Sequence, residues 1–120
     1  MTDGSQDTPT QQPNPLLILI GINIGIKLQN AGNFKKALRC FIYVLEADSN
    51  QVNIWYRIGN CWQNLGYFED AIASYNACYQ RSLLQQNIWL QATSQFCLGQ
   101  CYVSLKLQEN AIAAYNLAYK

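Results

Sequence analysis

Five cysteines carry most of the reactive potential of this 120-residue chain: Cys40, Cys61, Cys78, Cys97 and Cys101. Cys97 and Cys101 stand four apart, so on a helix they share one face. Two thiolates there supply half of a tetrahedral zinc site, but zinc takes four ligands and the chain has no histidine. The same absence removes the usual base for a cysteine nucleophile. No glycine-rich phosphate loop appears, because Gly21 and Gly25 fall in a helical pattern. No pair of carboxylates is spaced to flank a cleft. These gaps argue against an enzyme and imply no cofactor and no metal. The thiols read as small apolar residues between helices. The N-terminal MTDGSQD is not a secretory leader, so they are expected to stay reduced in a cytoplasmic protein.

Side chains that could bind outnumber those that could react. Asn and Gln together make 25 of the 120 residues, while charged residues make only 12%, about half the usual share. A net charge of +1 argues against a nucleic-acid partner and against a polybasic membrane patch. The run from Leu16 to Leu28 is the most apolar stretch, but it is shorter than the ~20 residues that cross a bilayer. Lys27 is its only cation, which disfavours membrane-surface contact. Lys35, Lys36 and Arg39 form a small basic face that is either solvated or met by an acidic partner.

These residues need elements to hold them. Residues 1–15 are polar and contain all three prolines, Pro9, Pro13 and Pro15, which predicts a disordered tail. Beyond them, turn signals at 30–33, 48–50 and 64–66 separate helical patterns, with no two-residue alternation. Helices are predicted over 16–30, 34–47, 52–64, 68–84, 87–104 and 108–119. Segments 31–41, 65–75 and 105–115 are copies of one another. Ala37, Ala71 and Ala111 are each followed four residues later by an aromatic: Phe41, Tyr75 and Tyr115. Gly25, Gly59 and Gly99 stand twelve before each alanine, and Leu28, Trp62 and Tyr102 three after each glycine.

This pattern resembles the tetratricopeptide repeat. The second copy carries it best: Trp55, Ile58-Gly59, Trp62, Leu65-Gly66, Phe68, Ala71-Ile72, Tyr75 and Cys78. The resemblance implies an all-α fold, a right-handed superhelical array of three antiparallel helix hairpins. One domain over 16–120 would hold repeats near 18–51, 52–85 and 92–120. Gly25, Gly59, Gly99, Ala37, Ala71 and Ala111 would allow close helix approach. Phe41, Trp55, Trp62, Tyr75, Tyr102 and Tyr115 would fill the spaces between hairpins. Gly21 and Gln95 stand where the family has tryptophan, and Ser49 and Leu83 where it has proline. The interval between alanines grows from 34 residues to 40, which predicts an insertion near 86–91 that lengthens the flanking helices.

The resemblance also implies a concave groove lined by the first helix of each hairpin. The first would contribute Leu19, Ile22, Ile26, Gln29 and Asn30. The second would contribute Asn53, Tyr56, Asn60, Gln63 and Asn64, and the third Thr93, Phe96, Gln100, Val103 and Ser104. That set is uncharged and suits a neutral or apolar peptide, or a helix. Its amides can bridge to a peptide backbone, and Tyr56 and Phe96 can anchor side chains. Some family members clamp the acidic tails of heat-shock chaperones with Lys, Asn and Arg. The matching positions here are Ile22, Ile26, Asn60, Thr93 and Cys97, of which only Asn60 fits, so that partner is not expected. The expectation is a non-enzymatic adaptor, scaffold or assembly factor for a protein partner. The alternative is a self-assembling structural subunit that associates through Leu16–Ile26.

Overall fold

A computed structural model describes residues 14–120, so the expected tail lies outside the described residues as far as residue 13. Six helices follow in order: α1 Pro15–Asn30, α2 Phe34–Ala47, α3 Val52–Asn64, α4 Phe68–Leu84, α5 Ile88–Ser104 and α6 Gln108–Ala118. The expected bounds shift by one residue at three ends. Helix α1 begins at Pro15, because the Asn14 side chain caps it by accepting from the Leu16 amide at 2.9 Å. Helix α5 begins at Ile88, because Asn87 is its cap and accepts from the Leu90 amide at 3.0 Å. Helix α6 ends at Ala118.

Four of the five connections are built alike. Each spans three residues and closes with a bond from the amide of its last residue to a carbonyl five residues back. These are Asn33 to Leu28, Tyr67 to Trp62, Asn87 to Ser82 and Leu107 to Tyr102. The middle residue lies in the left-handed region each time: Gly32, Gly66, Gln86 and Lys106. The connection between α2 and α3 differs. Asp48 organises it, accepting from the Asn50 amide at 3.0 Å and from Gln51 Nε2 at 3.1 Å.

The helices pair as three antiparallel hairpins, α1/α2, α3/α4 and α5/α6, and each helix meets its neighbours in the chain. Helix α3 also touches α5, and the stack reaches 59 Å by 31 Å by 21 Å. One contact sets the spacing within every hairpin. A Cβ on Gly25 would stand 2.5 Å from the Phe41 ring, and one on Gly59 would stand 2.6 Å from the Tyr75 ring. Gly99 is closed in the same way by Tyr115. The alanines at 37, 71 and 111 are buried beside these contacts.

The lengthened second interval goes entirely into helix. Helices α4 and α5 have 17 residues each, against 14 and 13 in α2 and α3. The turn between α4 and α5 is one residue shorter than that between α2 and α3. Trp55 and Trp62 are only half-buried. The Arg81 guanidinium stacks 4.7 Å above the Trp55 ring, and the Trp62 ring meets Tyr67 edge-on at 5.6 Å.

Candidate peptide-binding groove

Helices α1, α3 and α5 place the sequence-predicted groove residues in three zones. At the α1 end, Leu19 and Ile22 line a cleft of about 480 Å³ with Pro15, Ile18, Asp48 and Gln51. Ile26, expected beside them, does not line the cleft, and like Ile22 it is half-buried and packs against the first core cluster. Asn30 and Asn53 are exposed. Gln29 does not face open space: its Oε1 accepts from Arg57 at 2.7 Å, which ties α1 to α3.

In the middle zone the amides are engaged by the fold itself. The buried Tyr75 hydroxyl lies 2.8 Å from Asn60 Oδ1 and 2.7 Å from Gln63 Oε1. It has a single proton to donate, so one of the two amides must turn its nitrogen toward it. Gln63 Nε2 donates on to Gln100 Oε1 at 3.3 Å, which carries the chain of bonds from α3 to α5. Asn64 Nδ2 donates to the Asn60 carbonyl at 2.8 Å. Gln63 and Gln100 therefore join neighbouring hairpins, and Asn60 is held within its own hairpin by Tyr75.

Aromatic rings form the third zone. The Tyr56 ring lies 6.1 Å from Tyr75 and 6.1 Å from Trp89, the latter pair edge-on. Trp89 is 66% exposed. Phe96 lies 5.7 Å from the Tyr115 ring. Phe96, Thr93, Trp89 and Ala92 line a second cleft of about 280 Å³ with Ala118 and Tyr119. The Thr93 hydroxyl donates to the Trp89 carbonyl and that of Ser104 to the Gln100 carbonyl. Val103 is exposed.

Sequence reasoning missed Trp89 and Asp48. Trp89 was legible, since 89, 93, 96 and 100 are spaced four, three and four, a single helical stripe. The family's repeat starts at residue 92 in this register, and α5 is longer than the family's first helix. Asp48 reaches the α1 cleft from a connecting loop, which no helical period signals.

Four of the five thiols, Cys61, Cys78, Cys97 and Cys101, belong to the core, and Cys40 is half-buried. Burial pushes Cys61 up to about 11, against a smaller opposing pull from Arg57. Cys101 also reaches about 11, through burial and then the neighbouring Cys97. Burial raises Cys78 and Cys97 too, partly offset by hydrogen bonds from Ser94 and from Tyr75 respectively. Such thiols stay protonated and unreactive at neutral pH. Among the described residues no group of three or more His, Cys, Asp or Glu could hold a metal ion. None of the described helices is long and apolar enough to cross a membrane.

Repeated hairpins with glycine–aromatic crossings define a helical-repeat solenoid. The tetratricopeptide repeat family model matches residues 52–82 and 92–120, and the chain belongs to that family. Among solved structures, the chain is similar to PcrH in complex with the chaperone binding region of PopB. Identity there is 21% and the TM-score 0.76, over 88% of this chain and 80% of that one. It is also similar to PcrH with the chaperone binding region of PopD, at 15% identity and a TM-score of 0.55, over 92% and 95%. PcrH from Pseudomonas aeruginosa gives 16% identity and a TM-score of 0.52, over 88% and 92%. At these identities the likeness is one of fold. No curated protein sequence matches the chain.

Proposed function

We propose that this chain is a non-enzymatic protein-interaction module that captures a largely uncharged, extended peptide along α1, α3 and α5. The observation that carries the reading is the arrangement of the concave face. An aliphatic cleft beside Leu19 and Ile22 stands at one end and the Tyr56–Trp89 pair further along. Four or more residues further along α3 and α5, the amides of Asn60, Gln63 and Gln100 are held in place by hydrogen bonds. Arg57, the cation of this region, is already bonded to Gln29. Apolar anchors entering the cleft and stacking on Trp89 would supply affinity. The remaining amide edges, such as exposed Asn53, would meet the peptide backbone. PcrH, similar in fold, is seen with binding regions of two other proteins, which supports a peptide as the occupant. An adaptor, scaffold or assembly factor in the cytoplasm fits this chemistry, and an acidic chaperone tail does not. Cys97 is buried and Asn60 is held by Tyr75 where a cationic clamp would be needed.

Trp89→Ala is the cleanest probe, because its ring is mostly in solvent. Binding to arrayed aliphatic-rich, uncharged 12-residue peptides is expected to fall about tenfold or more, as for an aromatic hot spot. Helicity and thermal midpoint should stay as in the wild type. Equal binding by the variant, or a preference for acidic peptides, would remove the groove assignment.

A second reading is supported by α1. Leu16, Leu17, Ile20 and Ile24 are exposed together, which suits a subunit that associates with itself through this helix.

A further inference from the structure

Helix α1 carries a stacking surface that none of the described residues covers. Ile20 and Ile24 stand one 34-residue period before Ile54 and Ile58. The later pair is 0% and 4% exposed, packed in one cluster with Leu38, Phe41 and Val44 of α2. The earlier pair is 43% and 47% exposed. The sequence has thus written the same hairpin-docking face twice and covered it once.

The molecule also holds a recess of matching character, apart from the concave groove. Helix α3 floors it with Trp55, Ile58 and Trp62, between walls from α2 and α4. Two clefts of about 360 and 300 Å³ lie there. Both are lined by Ile42 and Trp62, so they form one trough along α2. The α2 wall carries Lys35 and Arg39 in one cleft and Glu46 in the other. The trough is apolar along its length and oppositely charged at its two ends.

We propose that the exposed stripe of α1 docks in this trough on a second copy of the chain, with Lys27 set against Glu46 of that copy. The proposal rests on the self-association reading and names the surface that receives α1. Spacing and charge select the fit. Lys35 and Glu46 are eleven residues apart on α2, as are Leu16 and Lys27 on α1, and both helices rise ~1.5 Å per residue. Laid parallel, the stripe of Leu17, Ile20 and Ile24 spans the Trp62–Ile42–Trp55 floor while Lys27 reaches Glu46. Laid the other way, Lys27 would meet Lys35 and Arg39. Stripe and trough are different surfaces, so the contact is heterologous and copies can add one after another. The peptide groove stays open throughout.

Light scattering behind size exclusion, over about a hundredfold range of concentration, tests this. The wild type should show a mass at least twice 13.6 kDa that rises with concentration. Ile20→Lys with Ile24→Lys should return it to the monomer, and so should Ile42→Glu in the trough, with circular dichroism unchanged. Glu46→Lys should weaken association about two- to fivefold, the scale of one exposed ion pair. Adding Lys27→Glu to it should restore the wild-type mass, and these two surface changes leave the fold intact. A monomeric wild type at every concentration overturns both the trough and the self-association reading. If the α1 variant is monomeric but Ile42→Glu and Glu46→Lys change nothing, self-association stands and the trough is wrong.

Discussion

The junction between the first and second hairpins and that between the second and third share one register and differ in closure. At the second, α4 and α5 have 17 residues each and bury each other's middle turns, while their adjoining ends leave Leu84, Ile88 and Trp89 exposed. Tyr75, Leu98 and Cys101 are sealed there, and a chain of amides crosses from Asn60 to Gln100. At the first, α2 and α3 are shorter by three and four residues. Clefts open on both sides of it, one beside Leu19 and Ile22 and one over Trp55 and Trp62. Its polar link is the pair Gln29–Arg57. The same repeat therefore yields a structural joint or a binding surface, depending on how far the helices extend beyond the crossing.

The largest effect that would separate the two comes from glycines. Gly59→Ala drives a methyl into the Tyr75 ring, which sits in the sealed joint and cannot swing away. It should cost about 2–3 kcal/mol. Gly21→Ala, whose Cβ would meet Val44 Cγ2 at 3.0 Å and Tyr43 at 3.6 Å, should cost under ~1 kcal/mol, because it meets a methyl at contact distance and a ring that is exposed. Urea titrations of both variants compare them, and equal losses would break the contrast.

A middle effect comes from the polar links. Tyr75→Phe leaves Asn60 and Gln63 facing an apolar edge and should cost about 1–3 kcal/mol. Gln29→Ala removes a half-exposed partner that water can replace, and should cost under ~1 kcal/mol. Thermal melts would show it, and a larger loss for Gln29→Ala would reverse the ranking of the two junctions.

The smallest effect is set by pH. Cys61 and Cys101 have folded values near 11, above the ordinary 9.0, and Cys78 and Cys97 shift in the same direction. The unfolded chain releases these protons first, so it binds fewer protons than the native state between about pH 9 and 11. Stability is level below that window and falls as pH rises through it. Replacing Cys97 and Cys101 together by Ala should flatten the decline in melting temperature more than replacing Cys61 alone. A decline untouched by either change would sharpen attention on the tyrosines instead.

Much of this was legible in the sequence because one rule repeats. The glycine, alanine and aromatic spacing fixes where helices cross, and Gly32 and Gly66 announce two of the turns. The turns at Gln86 and Lys106 carry no such sign, since residues other than glycine adopt the left-handed backbone there. The groove was harder to read. Spacing places Asn60 and Gln63 on the concave side, but only the Tyr75 hydroxyl arriving from α4 decides that they bond inward. Ile22 and Ile26 both pack against the first core cluster as well as facing the groove side. Trp89 lay one helical turn before the family's register begins.

Each helix rests chiefly on those beside it in the chain, and this has a bearing on how the molecule forms. Few contacts wait for distant residues, so the loop-closing cost of each step is small and folding in the μs–ms range is expected. A hairpin can close as soon as its second helix leaves the ribosome. In the finished molecule the paired second and third hairpins can outlast the opening of the first, giving hydrogen exchange a gradient that runs along the chain.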